Sequence, residues 1–245
     1  MTMHRFRNTI EKGHRVIGIW QTIPSIQLCH TLIRSGLDFI IFDMEHSVFD
    51  FKNALEHCLL CKANNVGAVV RISHFDKQLI SLAYDIGADV IQIPNIKTAE
   101  EVRDITRYIS YEHEKGYSPF TVSEDYNGTK TKEKPMISIH IENKEIMNSL
   151  DSILDLNNVD IFFFGLFDIS RSYNMLGDVR NKEIVKDVRE CMKKIKERDK
   201  TVGFIVNNIN DIADFKEFGT YITYSSEVFL LKKALSNSII ELKSI

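Results

Sequence analysis

The amino-acid sequence predicts a single (β/α)₈ barrel of the TIM type, with residues 1–245 forming one domain. Eight short runs rich in β-branched and aromatic residues alternate with longer amphipathic stretches. Strict alternation of strands and helices is typical of a parallel sheet. The length of 245 residues also suits one barrel, which usually needs about 250. A doubly wound open sheet is the alternative, but no G-x-G-x-x-G sequence follows the first strand.

The predicted strands have apolar cores such as V-I-G-I-W and F-I-I-F-D, as strands buried on both faces do. They are Arg15–Trp20, Leu37–Asp43, Val66–Ile72, Ala88–Pro94, Pro135–Glu142, Val159–Gly165, Thr201–Val206 and Thr220–Tyr224. One predicted helix begins at Pro24-Ser25, and the others occupy roughly residues 50–63, 75–86, 98–108, 143–155, 181–198, 208–218 and 226–243. Thr98 followed by Glu101 resembles a capping box, which supports a helix start there.

One long segment interrupts this alternation. Residues 110–134 are polar and lack periodicity, and a loop of that length in a compact domain is usually functional or disordered. The stretch at about 226–243 predicts an amphipathic C-terminal helix. Its apolar positions at helical spacing are Val228, Leu231, Leu235, Ile239 and Leu242. This stripe is expected either to cap its own barrel or to pack on a neighbouring subunit.

Composition excludes several classes of function. The formal net charge is -3, so the chain lacks the basic surplus that favours nucleic acid. The N-terminus lacks the apolar core of a signal peptide, and the longest apolar runs are too short to span a bilayer. We therefore expect a cytoplasmic protein with no membrane partner. Cys58 and Cys61 form a C-x-x-C on a helical pattern, but no second pair completes a zinc site, so a buried helix face is the preferred interpretation.

Polar side chains stand where four of the predicted strands end, which is the face where TIM barrels carry out chemistry. They are His46 in the sequence D-M-E-H, Arg71, Glu142, and Asp168, which follows Gly165. Two carboxylates without cysteine suit a hard cation such as Mg²⁺ or Mn²⁺. Such a cation, chelated by a 2-oxo acid, stabilises the negative charge of an enolate. Arg71 is placed to donate to the same oxygen or to form a structural ion pair, and His46 to transfer a proton near neutral pH.

Six segments, in order along nearly the whole chain, resemble the HpcH/HpaI aldolases. They are I-G-I-W (17–20), F-D-M-E-H (42–46), V-V-R-I-S (69–73), Y-D-I-G-A (84–88), I-x-I-E (139–142) and G-L-F-D-I-S (165–170). The resemblance implies a class II pyruvate aldolase that needs Mg²⁺, Mn²⁺ or Co²⁺. It also implies cleavage of 4-hydroxy-2-oxo acids into pyruvate and an aldehyde, by a homo-oligomer in which neighbours exchange a C-terminal helix.

The resemblance implies roles for individual residues. Glu142 and Asp168 match the metal ligands, and Arg71 matches the residue that steadies the pyruvate enolate. His46 matches the catalytic histidine, and Asp85 matches a carboxylate that orients it. The main-chain N–H groups around Gly165–Asp168 match a cradle for the substrate carboxylate. The predicted substrate-binding residues are Trp20, Gly165, Leu166, Phe167 and Lys115, and Glu45 and His140 are expected to support the catalytic and metal-binding side chains.

The sequence departs from the family pattern at four positions. Leu166 and Phe167 replace a proline and a small residue, and Phe167 is expected to narrow the pocket. His140 replaces a glutamine; strand alternation places it inside the barrel with Glu142, as a hydrogen-bonding neighbour of the site or as a third ligand. Lys115, in E-K-G-Y (114–117), stands where the family has arginine, and this change is not conservative for bidentate binding of a carboxylate.

Two other enzyme classes are disfavoured by the sequence, and two further functions remain as alternatives. A class I aldolase needs a desolvated lysine inside the barrel, and the predicted inner strands carry none. A phosphosugar isomerase needs a Gly-rich phosphate grip near strands seven and eight, which is also missing. A non-catalytic relative would keep the barrel as a metal- or 2-oxo-acid-binding or assembly module. A biosynthetic enzyme would instead condense pyruvate with a sugar aldehyde.

Overall fold

The computed structural model describes residues 3–127, 134–208, 213 and 215–245, with side chains from residue 6 onward. Eight parallel strands form a closed barrel in sequence order, and β8 pairs with β1. The strands are β1 Val16–Gln21, β2 Phe39–Asp43, β3 Gly67–Arg71, β4 Val90–Ile93, β5 Met136–Ile141, β6 Ile161–Phe164, β7 Thr201–Val206 and β8 Tyr221–Ser226. The predicted barrel is therefore confirmed.

Helices surround the barrel on its outer side. They are α1 Met3–Glu11, α2 Ile26–Arg34, α3 Phe51–Ala63, α4 Lys77–Asp85, α5 Ala99–Tyr108, α6 Lys144–Asn148, α7 Leu150–Leu154, α8 Leu166–Ser172, α9 Lys182–Glu197 and α10 Glu227–Lys243. The capping box between Thr98 and Glu101 is present at the start of α5. None of the helices within the described residues is long and apolar enough to cross a membrane.

One predicted helix is divided in the structure, two helices were not predicted, and one prediction is only partly covered by the described residues. The stretch 143–155 forms two short helices instead of one, because the chain turns at Ser149, which ends α6 and begins α7. Helices α1 and α8 were not predicted, since α1 is mainly polar and α8 has only seven residues. The predicted helix at 208–218 falls partly on residues 209–212 and 214, which lie outside the described residues, and 215–218 form a turn.

Aromatic side chains fill the lower half of the barrel interior. Phe39 and Tyr221 stack with ring centroids 4.1 Å apart. Gly18 makes room for this stack, because a Cβ at Gly18 would lie only 2.2 Å from the Phe39 ring. Phe6 of α1 packs on Gly67 and closes the amino end of the barrel. The barrel is therefore a filled core at this end.

The C-x-x-C cysteines lie in the layer between the sheet and the helices. Cys58, Cys61 and Cys29 are buried thiols. Burial raises the pKa of Cys58, and a hydrogen bond with Cys29 together with burial raises the pKa of Cys61. A buried thiol with a raised pKa is a poor nucleophile and ligand. This confirms the interpretation of a buried helix face.

Helix α10 leaves the barrel instead of covering it. Its apolar stripe is 40–69% exposed at Val228, Leu231, Leu235, Ile239 and Leu242. The expectation that this stripe caps its own barrel is therefore wrong. The helix begins where β8 ends, and of its large apolar side chains Leu230 packs partly on the core while the others remain exposed.

Aspartates secure the amino ends of alternate strands. Asp38, Asp89 and Asp160 directly precede β2, β4 and β6, and each accepts a main-chain N–H from the preceding strand. The donors are Ile17 (2.8 Å), Ala68 (2.8 Å) and Ile137 (2.7 Å), respectively. Burial raises the pKa of Asp89 from 3.8 to about 6, against the opposing effect of the Ala68 N–H.

We predict that Asp89→Asn stabilises the protein at pH 7.5 and that this gain shrinks towards pH 4. A raised pKa means that the folded state holds a proton between about pH 4 and 6 that the unfolded state has lost. The wild-type group therefore contributes stability below pH 3.8 and loses it as the pH rises through about 6. Asparagine keeps the acceptor for Ala68 without the half-buried charge.

Urea unfolding of the wild type and of Asp89→Asn at several pH values measures the difference in their free energies of unfolding. Asp38→Asn is the matched control, since Asp38 makes the equivalent hydrogen bond from an exposed position. A loss of stability in Asp89→Asn that does not change with pH would contradict the prediction.

Candidate active site

The carboxyl ends of the strands surround an open cavity of about 300 Å³. The predicted site residues in its wall are Trp20, His46, Arg71, His140, Gly165, Leu166, Phe167 and Asp168. Further wall residues that the sequence did not single out are Thr22, Asp43, Phe163, Ile205 and Ser226. Most of the predicted residues thus come together, although they arise from β1, β2, β3, β5 and β6.

Arg71 is the buried cation of this site. Its Nε and Nη2 donate to the two carboxylate oxygens of Asp43 at 2.9 and 2.7 Å, a bidentate pair. Its Nη1 lies 2.7 Å from the carboxylate of Glu45, and its guanidinium carbon lies 4.2 Å from the centre of the Trp20 ring. Asp43 and Arg71 are register partners on β2 and β3, which explains why their side chains meet.

Asp43 also shapes the loop that carries His46. Its Oδ1 accepts the main-chain N–H groups of Glu45 (2.9 Å) and His46 (3.2 Å). Burial alone would raise the pKa of Asp43, but the hydrogen bond and charge of Arg71, with these two N–H groups, lower it overall. The His46 side chain is 70% exposed, and its Nε2 lies 3.9 Å from the Glu45 carboxylate. The loop backbone is fixed, whereas the imidazole faces the open cavity.

Glu142 is an ionised carboxylate behind the cavity wall. Its Oε1 accepts the Asn95 N–H at 2.5 Å, and its Oε2 accepts a hydrogen bond from Nδ1 of His140 at 3.3 Å. Burial tends to raise the pKa of Glu142, but His140, the Asn95 N–H and the charge of Arg71 outweigh it and lower the pKa. Asn95 also donates its side-chain amide to Glu45 at 2.8 Å. Asn95 therefore connects the two carboxylates.

Asp168 lies on the first turn of α8 and not on a strand end. Its side chain is 44% exposed and contacts Arg171 at 3.0 Å. Gly165 precedes the helix, and a Cβ at that position would lie 3.3 Å from the Glu142 Cβ, so glycine lets this turn approach Glu142 closely. Leu166 is buried beside it, whereas Phe167 is 53% exposed at the cavity mouth.

These residues fit a hard divalent cation. The described residues contain no cluster of three or more His, Cys, Asp or Glu side chains arranged to hold a metal. Mg²⁺ does not need one, because it is often held by one or two carboxylates together with water and substrate. Glu142 is ionised, and Asp168 faces the cavity. Gly165 lets the first turn of α8, which carries Asp168, lie close to Glu142. A two-carboxylate site is consistent with this geometry.

Asp85 and Lys115 do not join this cavity within one chain. Lys115 donates to Asp85 at 2.6 Å and to Ser81 at 3.2 Å, and its Nζ lies 4.6 Å from the centre of the Tyr84 ring. Asp85 is the last residue of α4, and the helices of a barrel return the chain to its amino end. The predicted contact between Asp85 and His46 is therefore not made inside the chain.

The polar segment after α5 packs on the outside of α4. Residues 110–127 form turns and one short 3₁₀ turn, Val122–Glu124, while 128–133 lie outside the described residues. Tyr111 donates its hydroxyl to buried Glu124 at 2.8 Å, and its ring contacts that of Tyr84 edge-on at 5.7 Å. Together with the contacts of the buried Lys115, these contacts hold the segment against α4. Phe120 remains exposed.

The fold and the site together define the class: a (β/α)₈-barrel protein with a carboxylate- and arginine-lined cavity at the carboxyl ends of its strands. The sequence pattern described as HpcH/HpaI aldolase/citrate lyase matches residues 17–225. The chain belongs to the HpcH/HpaI aldolase/citrate lyase family.

Three relatives illustrate this membership. The chain is 25% identical over 215 residues to a hydroxypyruvate/pyruvate aldolase of Roseobacter denitrificans, covering 84% of each protein. It is 28% identical over 210 residues to a 2-keto-3-deoxy-L-rhamnonate aldolase of Escherichia coli O9:H4, covering 82% of this chain and 78% of the relative. The crystal structure of a family protein from Burkholderia cenocepacia superimposes with a TM-score of 0.88 at 21% identity, covering 96% of this chain and 99% of the other.

Proposed function

We propose that the protein is a divalent-metal-dependent aldolase that cleaves or forms 4-hydroxy-2-oxo acids from a pyruvate-like 2-oxo acid and an aldehyde. One observation carries the proposal: the cavity brings Arg71, His46 and Asp168 together, next to the ionised Glu142. Membership of the family and the aldolase names of the relatives support it.

The charged residues bind the 2-oxo acid and stabilise its enolate. Arg71 donates to the oxygen that becomes negative, and its pairing with Asp43 holds the guanidinium in place for this task. Glu142 and Asp168 would hold Mg²⁺, Mn²⁺ or Co²⁺. The bound ion supplies Lewis-acid stabilisation of the developing negative charge. The main-chain N–H groups around Gly165–Asp168 receive the substrate carboxylate.

His46 moves the proton. In the cleavage direction it accepts the proton of the 4-hydroxyl group while the bond between C3 and C4 breaks. C4 then leaves as the aldehyde, and the bonding electron pair passes to the enolate of the 2-oxo acid. A proton delivered to C3 completes pyruvate. A histidine suits both transfers, because its ordinary pKa lies near neutral pH.

The remaining wall residues shape the pocket. The Trp20 ring packs against the guanidinium group of Arg71. Leu166 and Phe167 form an apolar part of the cavity wall. His140 supports Glu142 through a hydrogen bond, one of the two roles expected from its place on the strand. Glu45 supports Arg71 and stands next to His46. The same residues serve cleavage and condensation, since metabolite concentrations set the direction.

Two measurements separate this proposal from its alternatives. A non-catalytic barrel used only for assembly should bind neither Mn²⁺ nor pyruvate in isothermal titration. A screen of pyruvate with assorted aldehydes, read by mass spectrometry, identifies the products of an active enzyme, including those of a biosynthetic condensation with a sugar aldehyde.

We predict that chelation abolishes activity and that Mg²⁺, Mn²⁺ or Co²⁺ restores it. Glu142→Ala or Asp168→Ala should prevent the rescue, because a hard cation held by two carboxylates is severely weakened by the loss of one. Steady-state rates after EDTA treatment and metal addition measure this effect. Arg171→Ala serves as the control, since it removes the exposed contact of Asp168 and leaves both carboxylates. Full activity in excess EDTA would refute the metal requirement.

For the proton-transfer role, His46→Ala should lower turnover about 10²- to 10⁴-fold, the usual contribution of a positioned acid–base group. Mn²⁺ binding should be retained, because His46 is not one of the proposed ligands. The test compares the rates of aldol cleavage and of pyruvate C3 proton exchange in the variant and the wild type. Near-normal rates for both reactions would assign the proton transfer to another group.

We also propose that the protein is a homo-oligomer with shared active sites. Two observations support this proposal. The apolar stripe of α10 is exposed, and Lys115–Phe120 lies on α4, away from the cavity of its own chain. In such an assembly the Asp85 end of α4 and the segment beside it lie at the cavity mouth of the adjacent subunit. Asp85 then orients the neighbour's His46, and the segment that carries Lys115 borders the neighbour's cavity mouth.

This arrangement predicts complementation between two inactive variants. Asp85→Ala and His46→Ala should each lose activity, whereas subunit exchange between them should restore about a quarter of the sites, those that receive both intact residues. The activity of the mixture, with light scattering for the mass, measures this effect. Mixing Asp85→Ala with wild type serves as the reference. A fully active monomer at micromolar concentration would remove the proposal of sharing.

A further inference from the structure

The chain turns sharply where β8 meets α10. Ser225 adopts a left-handed backbone with φ 57°, a conformation that residues other than glycine rarely take. The turn leaves Ser226 in the cavity wall, where its hydroxyl also accepts the N–H of Phe229 and caps the helix. The next residue, Glu227, points back to the loop that follows β1.

Glu227 binds that loop through a single carboxylate oxygen. Its Oε1 accepts the N–H of Thr22 at 2.6 Å, the hydroxyl of Thr22 at 2.9 Å and the N–H of Ile23 at 2.7 Å. The residue is only 5% exposed, so these hydrogen bonds are shielded from water. Its place on the first turn of α10 also suits a negative charge, because the helix dipole is positive there.

Gln21 holds the same loop from the other side. Its amide donates to the carbonyl oxygens of Ile23 (2.8 Å) and Ser25 (3.2 Å). The loop is therefore held between a glutamine of β1 and a glutamate of α10. Thr22 lines the cavity and lies two residues from Trp20, whose ring supports Arg71. The place of Thr22 thus depends directly on Glu227.

Glu227 is also the buried residue of α10. From Val228 to Ile245 the side chains are exposed, apart from the half-buried Leu230. Among the described residues, α10 therefore contacts the barrel through the buried Glu227, the partly buried Leu230, and Lys233, which donates to Asn208 at 3.1 Å. A shift of the helix would move Glu227, and with it Thr22.

We propose that Glu227 is a positioning residue. It couples the position of helix α10 against the barrel to the position of Thr22 and Trp20 in the cavity wall. The coupling itself depends only on the fold, whereas its effect on turnover rests on the proposed aldolase function. When α10 lies in the position of this structure, Glu227 holds the loop after β1 against the β8 side of the cavity. When α10 shifts, this loop becomes more mobile and substrate binds more weakly.

Trp20 offers a direct test, because it is the chain's single tryptophan. In Glu227→Ala, we expect its emission to move to longer wavelength and its quenching by acrylamide to increase. Glu227→Gln should show a smaller change, because the amide oxygen still accepts the two N–H groups. Glu241→Gln is the matched control on the exposed part of the same helix and should match wild type.

Kinetics then distinguish positioning from general stabilisation. Glu227→Ala should lower kcat/KM on the order of 10-fold, mainly through a higher KM, since hydrogen bonds to a charged group that hold the binding loop are lost while His46 and Arg71 remain. Glu227→Gln should recover part of this loss. If Glu227→Ala does not fold, the emission and KM of Glu227→Gln decide the matter.

Two results would overturn the inference. One is wild-type emission and quenching in both Glu227 variants. The other is a wild-type KM accompanied only by a lower unfolding midpoint, which would make Glu227 a stabilising contact. If the wild type neither cleaves nor forms an aldol, the proposed function fails. The fluorescence comparison still decides whether Glu227 positions the loop.

Discussion

The buried charge of Arg71 is the constraint on which the rest of the site depends. An unpaired guanidinium in this position would cost several kcal/mol, so the surrounding structure must supply partners with good geometry. Asp43 supplies a bidentate pair and Glu45 a second ion pair. Asp43 then fixes the loop of His46, and Glu45 reaches Glu142 through Asn95. A continuous polar network thus runs from β2 to β5.

The charge balance of this network supports the proposed binding of a cation. Asp43, Glu45, Glu142 and Asp168 lie in or behind the cavity wall, whereas Arg71 is shared by the first two. Among the described residues, Asp168 pairs with Arg171 on the exposed side of α8. Glu142 stays ionised despite its burial, because hydrogen bonds from His140 and Asn95 and the charge of Arg71 favour the anion. An additional positive charge between Glu142 and Asp168 would complete the balance.

The barrel could be predicted from sequence because each strand is a short, strongly apolar run, whereas helices α1 and α8 are too polar or too short to be recognised in this way. The positions of Arg71, His46 and Glu142 follow from the same pattern. Asp43 was missed as a site residue because alternation along one strand does not give the register with the next, and the register is what pairs it with Arg71. The seat of Lys115 on α4 depends on contacts between distant segments, which periodicity cannot reveal.

The exposed length of α10 has a consequence for how the protein behaves in dilute solution. Large apolar side chains are exposed along the whole length of this helix, and apolar surface of this kind is typical of a protein–protein contact. A lone subunit would tend to adhere to other chains through this surface, including incompletely folded ones. If the surface is covered by a second copy, the melting temperature rises with protein concentration, because association favours the folded state by mass action. The yield of refolding would then depend on how quickly subunits meet.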